Sequence, residues 1–387
     1  MRVEAMVREV VEGCSSVMHA SRLAALVKVV EGIIRGERLV PATIGRHLPG
    51  GTAPKHGIKC VDRLLGNAHF ARDFLFIFLG LAHRLLGGCA RPVILIDWTH
   101  AGGRYNALVA AVPIGGRALP IYIEVHPEKK LGNAAVEKRF LCSLKAILPA
   151  SSGPPVVVSD AGFKGPFFEA VLELGWNFLG RVRGTTTARP SDGESISKEE
   201  FYAAATIHPA DLGWFELFPR GLAIRSRLVL VRKRRKPGRK PPPPKNKEER
   251  EMRQAALDPW LLATSVPDGD AAFIVGLYAK RMQIEETFRD AKNHRFGWSL
   301  GDVQLSTHRR MGALLVLAAV AMTVVTLIGM GVERVGAHRG YQANTEKRRV
   351  LSFFVLACAV LARADARLVS LEEFRASLVS VASVASA

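Results

Sequence analysis

Three acids in this sequence stand where metal-dependent phosphoryl chemistry would use them. Asp97 closes the apolar run RPVILID and Asp160 closes PPVVVSD, so each is expected at the C-terminal end of a buried strand. Open sheets with crossover helices gather ligands at such strand ends. An Asp after a strand also commonly caps the next helix, so neither position alone decides the matter. A third acid is needed, because two divalent cations about 3.5–4 Å apart share several carboxylate oxygens. The stretch YAKRMQIEETFRDAKNHRFGW, Tyr278 to Trp298, offers two adjacent candidates, Glu285 and Glu286.

Helical geometry chooses between them. With Tyr278 set at 0° and about 100° per residue, Arg281 falls at about 300°, Glu285 at about 340° and Lys292 at about 320°. Glu286 falls at about 80°, roughly 100° away from Glu285. Tyr278, Arg281, Glu285 and Lys292 are thus expected on one face, where a carboxylate flanked by two cations and a phenol suits metal and phosphate.

The elements that must position these residues follow from pattern. Residues 1–88 read as helices, with amphipathic stretches at Arg22 to Arg35 and Lys55 to Gly66 separated by PGG at 49–51. This basic helical module is compatible with DNA binding. From Arg91 strands take over: RPVILID, Tyr105 to Pro113 and Ala118 to Val125, with a Gly115–Gly116 hairpin turn. Val136 to Leu148 reads as a helix, PPVVVSD as a strand, Gly165 to Leu174 as a helix and WNFLGRVR as a strand. The order β-β-β-α-β-α-β resembles a ribonuclease H-like mixed sheet flanked by helices. Residues 184–258 interrupt it with a β-rich insertion containing RKRRKPGRKPPPPKNK (Arg232 to Lys247), a basic, proline-rich loop that cannot bury a core. PWLLATSV restores a strand at 259–266, and one long helix is expected from Asp270 through the Glu285 stretch. The expected division is a helical region at 1–88, an α/β catalytic core at 89–300 and a helical C-terminal region at 301–387, including a helix at Asn344 to Arg363.

Two residues near the acids have both a plain and a functional reading. Arg183 ends WNFLGRVR on the face shared with Arg181, as a surface pair or as a phosphate contact. Trp260 opens PWLLATS, as core or as a platform near the site. The charge of the whole chain bears on the class of partner. Fifty-four Lys+Arg against 35 Asp+Glu give a net charge of +19, which fits a polyanion, nucleic acid first. Cys14, Cys60, Cys89, Cys142 and Cys358 are scattered and odd in number, which argues against a disulfide framework or zinc site and suits a reducing cytosol. No secretory signal is visible. Met311 to Val332 is uncharged and long enough to span a bilayer, but a helix apolar all round also suits the centre of a large soluble domain, which is the expectation here.

The spacing Tyr278-x2-Arg281-x3-Glu285-x6-Lys292 resembles the signature of the DDE transposases of one large bacterial insertion-sequence family. This is the cut-and-paste, insertion-sequence-four type with a β-strand insertion before the last acid. KHGIKCVDRLLGN, VILIDWT, VVSDAGF, ELGWNFLGRVRG, PWLLATS, KRMQIEETFRD and YQANTEKRRVLS look like its blocks in the right order, over roughly residues 50 to 360. The tail after about 360, rich in Ala, Val and Ser, does not match. The resemblance implies that Asp97, Asp160 and Glu285 are the catalytic, metal-binding triad for two Mg²⁺ ions, with Mn²⁺ able to substitute. It implies double-stranded DNA as partner, both transposon ends and target, bound by a homodimer in the bacterial cytoplasm at the nucleoid, with no membrane. The expected reaction is nicking at the element's 3′ ends, hairpin formation and resolution, and strand transfer. Arg281, Lys292, Tyr278 and Arg183 are expected to contact phosphates, and the resemblance implies that Trp260 receives a flipped base. A catalytically silent, transposase-derived DNA-binding protein is the alternative.

Overall fold

Short-range signals start most of the helices. A computed structural model describes residues 3–387 except 15, 52, 185, 219–221, 234–242, 245, 248–249, 251–252, 254–256, 296 and 364–368. Its first helices are α1 (Val3–Val10), α2 (Ala20–Gly36), α3 (Pro41–Arg46), α4 (Pro54–Gly66) and α5 (Ala68–Leu86). Proline opens α3 and α4, where its missing N–H costs nothing. Asn67 caps α5 by accepting from the N–H groups of His69 and Phe70. Strands β1 (Val93–His100), β2 (Tyr105–Pro113) and β3 (Ala118–Pro127) then form an antiparallel meander in the order β3-β2-β1, with Asp97 opposite Val109. The turn between β2 and β3 uses Gly115 and Gly116 at φ of 79° and 108°, a region where side chains are strained. Asn133 caps α6 (Ala134–Ile147).

The protein is mixed α/β and divides into two compact units: Met1–Pro154 with Met282–Ala387, and Pro155–Arg281. The second unit contains β4 (Val156–Ser159), α7 (Gly165–Glu173), β5 (Asn177–Arg181), β6 (Thr187–Pro190), β7 (Ile196–Ser197), α8 (Lys198–Ala203), β8 (Ala210–Leu217), β9 (Ile224–Val231), β10 (Trp260–Thr264) and α9 (Ala271–Ala279). Its strands run in the order β4-β5-β10-β9-β8-β6-β7. Strands β4 and β5 are parallel, joined by α7, and the remaining pairs are antiparallel. Strands β6 to β9 fall within residues 184–258, the stretch read as a β-rich insertion. Of its basic loop, residues 234–242 and 245 lie outside the described residues.

The chain returns to the first unit with α10 (Met282–Lys292), α11 (His308–Arg334), α12 (Phe353–Ala362) and α13 (Leu371–Val384). Helix α11 holds the apolar run. By length and composition it could cross a membrane, yet 94% of its most apolar window is buried inside the structure. Helices α2, α4, α5, α12 and α13 and strand β3 surround it. It is the core helix of its unit, as an all-round apolar helix with protein partners should be. Helix α12 approaches so closely that a Cβ built at Gly329 would lie 2.1 Å from the Phe353 carbonyl oxygen.

Two expectations are corrected. The long helix from Asp270 is two helices. Asp270 caps α9, accepting from the Phe273 N–H at 2.7 Å. At the other end the ladder tightens to three-residue spacing, Lys280 to Leu277 and Arg281 to Tyr278, and does not continue. Tyr278 and Arg281 therefore do not share one helix with Glu285 and Lys292. The helix expected over 344–363 begins only at Phe353. Before it the chain folds around Gln342, whose side-chain amide donates to the carbonyls of Glu346 and Arg348, and Ser352 then supplies the N-cap.

Candidate catalytic and nucleic-acid site

Strand alternation sets the first half of the site. Asp97 and Thr99 lie on one face of β1, while Trp98 turns to the other and donates to Glu137 on α6 at 2.9 Å. Strand β1 runs on to His100, so Asp97 lies within the strand rather than at the C-terminal end expected for it, and it caps no helix. On the Asp97 face, the half-buried Lys292 ammonium donates to Thr99 Oγ1 at 2.6 Å. Burial pulls the Lys292 pKa down, and the Asp97 charge opposes that shift. Helix α10 thereby brings its last turn to the strand that bears Asp97.

Three side chains fasten α10 to the meander. Gln283 Oε1 accepts from the N–H groups of Ile114 and Gly116, Thr287 Oγ1 bonds both backbone groups of Ala118, and Asp290 takes Arg117 in a two-point contact at 2.6 and 3.3 Å. Burial raises the Asp290 pKa, with Arg117 working against it. Gln283, Thr287 and Asp290 form one stripe at four- and three-residue spacing. Glu286 flanks that stripe, paired with Arg289 at 2.7 Å and lying 3.8 Å from Arg117. Glu285 and Lys292 lie on roughly the opposite side of the same helix, separated by about 10 Å of axis. The choice of Glu285 over Glu286 thus acquires a local reason, since Glu286 belongs to the anchoring side. Sequence reasoning missed these anchors. Their i, i+4, i+7 spacing was readable, but they are polar, whereas core stripes are sought among apolar residues.

The second half lies in the second unit. Asp160 follows β4 and accepts from the Gly162 N–H at 2.8 Å, an Asx turn rather than a helix cap, since Lys164 occupies the cap position of α7. Strand β5 ends at Arg181, so Arg183 lies two residues past the strand rather than within it. Arg181 Nη2 donates to the carbonyls of Asp258 and Pro259, immediately before Trp260. Trp260 is 7% exposed and meets the Tyr278 ring edge-on, with centroids 4.8 Å apart. Lys233 Nζ lies over the Trp260 ring at 3.7 Å from its centroid, and Arg281 lies 5.9 Å from the Tyr278 centroid. Burial lowers the Arg181 pKa and Arg183 adds to the shift. Burial raises the Tyr278 pKa; Arg281 and Arg181 oppose it and Asp160 reinforces it. These mutual influences place Arg181, Arg183, Arg281, Tyr278 and Asp160 in one electrostatic neighbourhood. Several half-buried cations around two aromatic rings make a surface that a phosphodiester would neutralise.

As donors, Asp97, Asp160 and Glu285 fit a hard divalent cation, being all carboxylate oxygen with no thiolate or imidazole. The first unit contains Asp97 and Glu285, and the second contains Asp160. Among the described residues no three His, Cys, Asp or Glu side chains are grouped closely enough to hold a metal ion. Cys14, Cys60, Cys142 and Cys358 are free thiols.

Comparison with known proteins is informative at one level. The family described as the transposase DDE domain matches residues 89–324, more than half of the 387-residue chain, and the match brackets all three acids. A search of curated proteins finds no match. Among solved structures, the cryo-EM structure of a piggyBac transposase synaptic complex with hairpin DNA is similar at a TM-score of 0.42 and 11% identity, covering 98% of this chain and 83% of that one.

Proposed function

The chain belongs to the transposase DDE domain family, and from this we propose that it binds the terminal inverted repeats of its own insertion sequence and moves it by cut-and-paste transposition. The subtype proposed is the insertion-sequence-four type, on the Tyr278, Arg281, Glu285 and Lys292 spacing. One observation carries the catalytic reading: the Lys292–Thr99 hydrogen bond ties the helix bearing Glu285 to the strand bearing Asp97.

In this reading Asp97, Asp160 and Glu285 hold two Mg²⁺ ions, for which Mn²⁺ substitutes. Bound there, the ions would supply Lewis-acid activation of the attacking oxygen and neutralise charge at the phosphate. Lys292 presents a cation toward the scissile strand. Arg183 and Arg281 bind phosphates flanking the cut, and Tyr278 fixes the wall against which Trp260 packs. Trp260 accepts a base flipped out during hairpin formation once Lys233 leaves its face. Unstacking costs a few kcal/mol, and an aromatic platform returns about 1–3 kcal/mol.

The antiparallel meander β1–β3, followed through α6 by the parallel pair β4–β5, supports a ribonuclease H-like core. We assign 1–88 to DNA binding, 89–300 to catalysis and 301–387 to a helical region that supports a homodimer on DNA at the bacterial nucleoid, with α11 as core rather than a membrane span. The rival is a catalytically silent, transposase-derived DNA-binding protein. The deciding experiment incubates purified protein and Mg²⁺ with DNA carrying both flanks of its reading frame. Nicks at the element ends, absent with Asp160→Asn while end binding persists, are expected. Equal nicking by Asp160→Asn would sink the catalytic reading.

A further inference from the structure

The β-rich insertion carries a second feature that the triad does not use. Strand register aligns Arg189, Glu216 and Arg225 in one row across β6, β8 and β9, so their side chains share a face of the sheet. Trp214, two residues before Glu216 on β8, is on that same face. Its neighbour Phe215 turns to the other side, where it packs on Phe201 of α8 at 5.6 Å. The row is not charge-balanced. Glu216 accepts from Arg189 at 2.6 Å, and the Arg225 side chain makes no ion pair or hydrogen bond to any described residue. Instead its guanidinium lies 5.1 Å from the Trp214 ring centroid. Trp214 is 37% exposed, unusual for the largest apolar side chain. Together with Ser191 and Gly193, these residues line an open cleft of about 550 Å³.

We propose that this cleft is a second nucleic-acid site, which takes an unpaired DNA strand with a base stacked on Trp214 and phosphates on Arg225 and Arg189. The proposal rests on the DNA-processing reading above. Stacking needs the open face of a base, which a duplex interior does not offer, whereas every base of a single strand presents one. An arginine already lying against an aromatic ring is the usual companion of such a platform, since it meets the phosphate while the ring meets the base. Two arginines against one glutamate leave the face positive, complementary to the backbone, in a chain whose net charge is +19. Cutting and rejoining of ends, as proposed, generates unpaired nucleotides for such a site to hold.

The test titrates the full chain with oligothymidylate and, separately, with a short random-sequence duplex. Trp214→Ala should weaken oligothymidylate binding about tenfold, while Trp214→Phe keeps most of the affinity. The fluorescence difference between the wild type and Trp214→Phe should be quenched on binding. Arg225→Ala should reduce the salt slope by about 0.7, the value for one single-strand phosphate. Unchanged affinity in Trp214→Ala, with Arg183→Ala still weakening duplex binding, overturns the second site and leaves the main reading standing. If neither substitution alters binding to either DNA, the DNA-contact reading itself fails. Displacement of oligothymidylate by polyglutamate with no dependence on Trp214 would assign the face to an acidic protein and overturn the proposal.

Discussion

Replacing Glu286 by Ala isolates the question raised by the acidic pair, because the structure gives Glu286 a structural role of calculable size. Its contact with Arg289 spans three residues on one helix, and the Arg289 side chain is 66% exposed. Such a pair contributes about 0.3–0.5 kcal/mol. Arg117 approaches Glu286 only to 3.8 Å, outside hydrogen-bond range. Discounted for solvent, that contact adds a few tenths of a kcal/mol. Arg117 is not stranded by the change, because Asp290 still holds it at 2.6 Å. Glu286→Ala should therefore lower unfolding free energy by about 0.5–1 kcal/mol in urea titration and leave cleavage of element ends within about twofold. Glu285→Ala should show the reverse, with a small stability change and no cleavage. Lost cleavage in Glu286→Ala together with active Glu285→Ala would refute the assignment of the two faces of α10.

Three further outcomes follow from contacts elsewhere. Glu9 on α1 accepts from Arg84 of α5 and Arg375 of α13 at 3.0 and 2.9 Å. The Arg375 bond leads in holding its carboxyl below the ordinary range, against burial. A depressed folded pKa contributes stability that is present above the unfolded value of about 4.3 and lost as pH falls through the folded value. Glu9→Gln should cost about 1–2 kcal/mol at neutral pH and flatten the acid limb of the stability profile; an unchanged limb would refute the clasp. Lys233→Ala should increase acrylamide quenching of Trp260, measured by difference against Trp260→Phe, and no increase would mean that Lys233 does not cover the ring. Gly329→Ala should destabilise by about 2 kcal/mol or more, because its methyl meets the Phe353 carbonyl. Wild-type stability in that variant would contradict the packing of α12 on α11.

Legibility in the sequence followed locality. The strand end before Asp160 and the glycine turn at 115–116 are written in adjacent residues and formed where expected, whereas β1 runs three residues past Asp97 to His100. The break after Ala279 was not legible, because Lys280, Arg281 and Met282 are all good helix formers with no Gly or Pro among them. It falls at the boundary between the two compact units, which no local pattern marks. The early start assigned to α12 ignored Ser352, a readable cap. The anchors Gln283, Thr287 and Asp290 were hidden because their partners, Ile114, Gly116, Arg117 and Ala118, lie far back in the chain. The burial of Trp260 beneath Lys233 is likewise a long-range pairing that no local pattern encodes.

We propose that Asp97, Asp160 and Glu285 act together as one metal site, and direct metal binding tests this without relying on activity. Mn²⁺ binding to the full chain in the presence of element-end DNA, followed by electron paramagnetic resonance, should weaken at least about tenfold in Asp97→Asn, Asp160→Asn and Glu285→Gln, each of which removes a liganding charge. Glu286→Gln should bind as the wild type does. Undiminished binding in any of the three triad variants, or a loss in Glu286→Gln equal to theirs, would contradict the account.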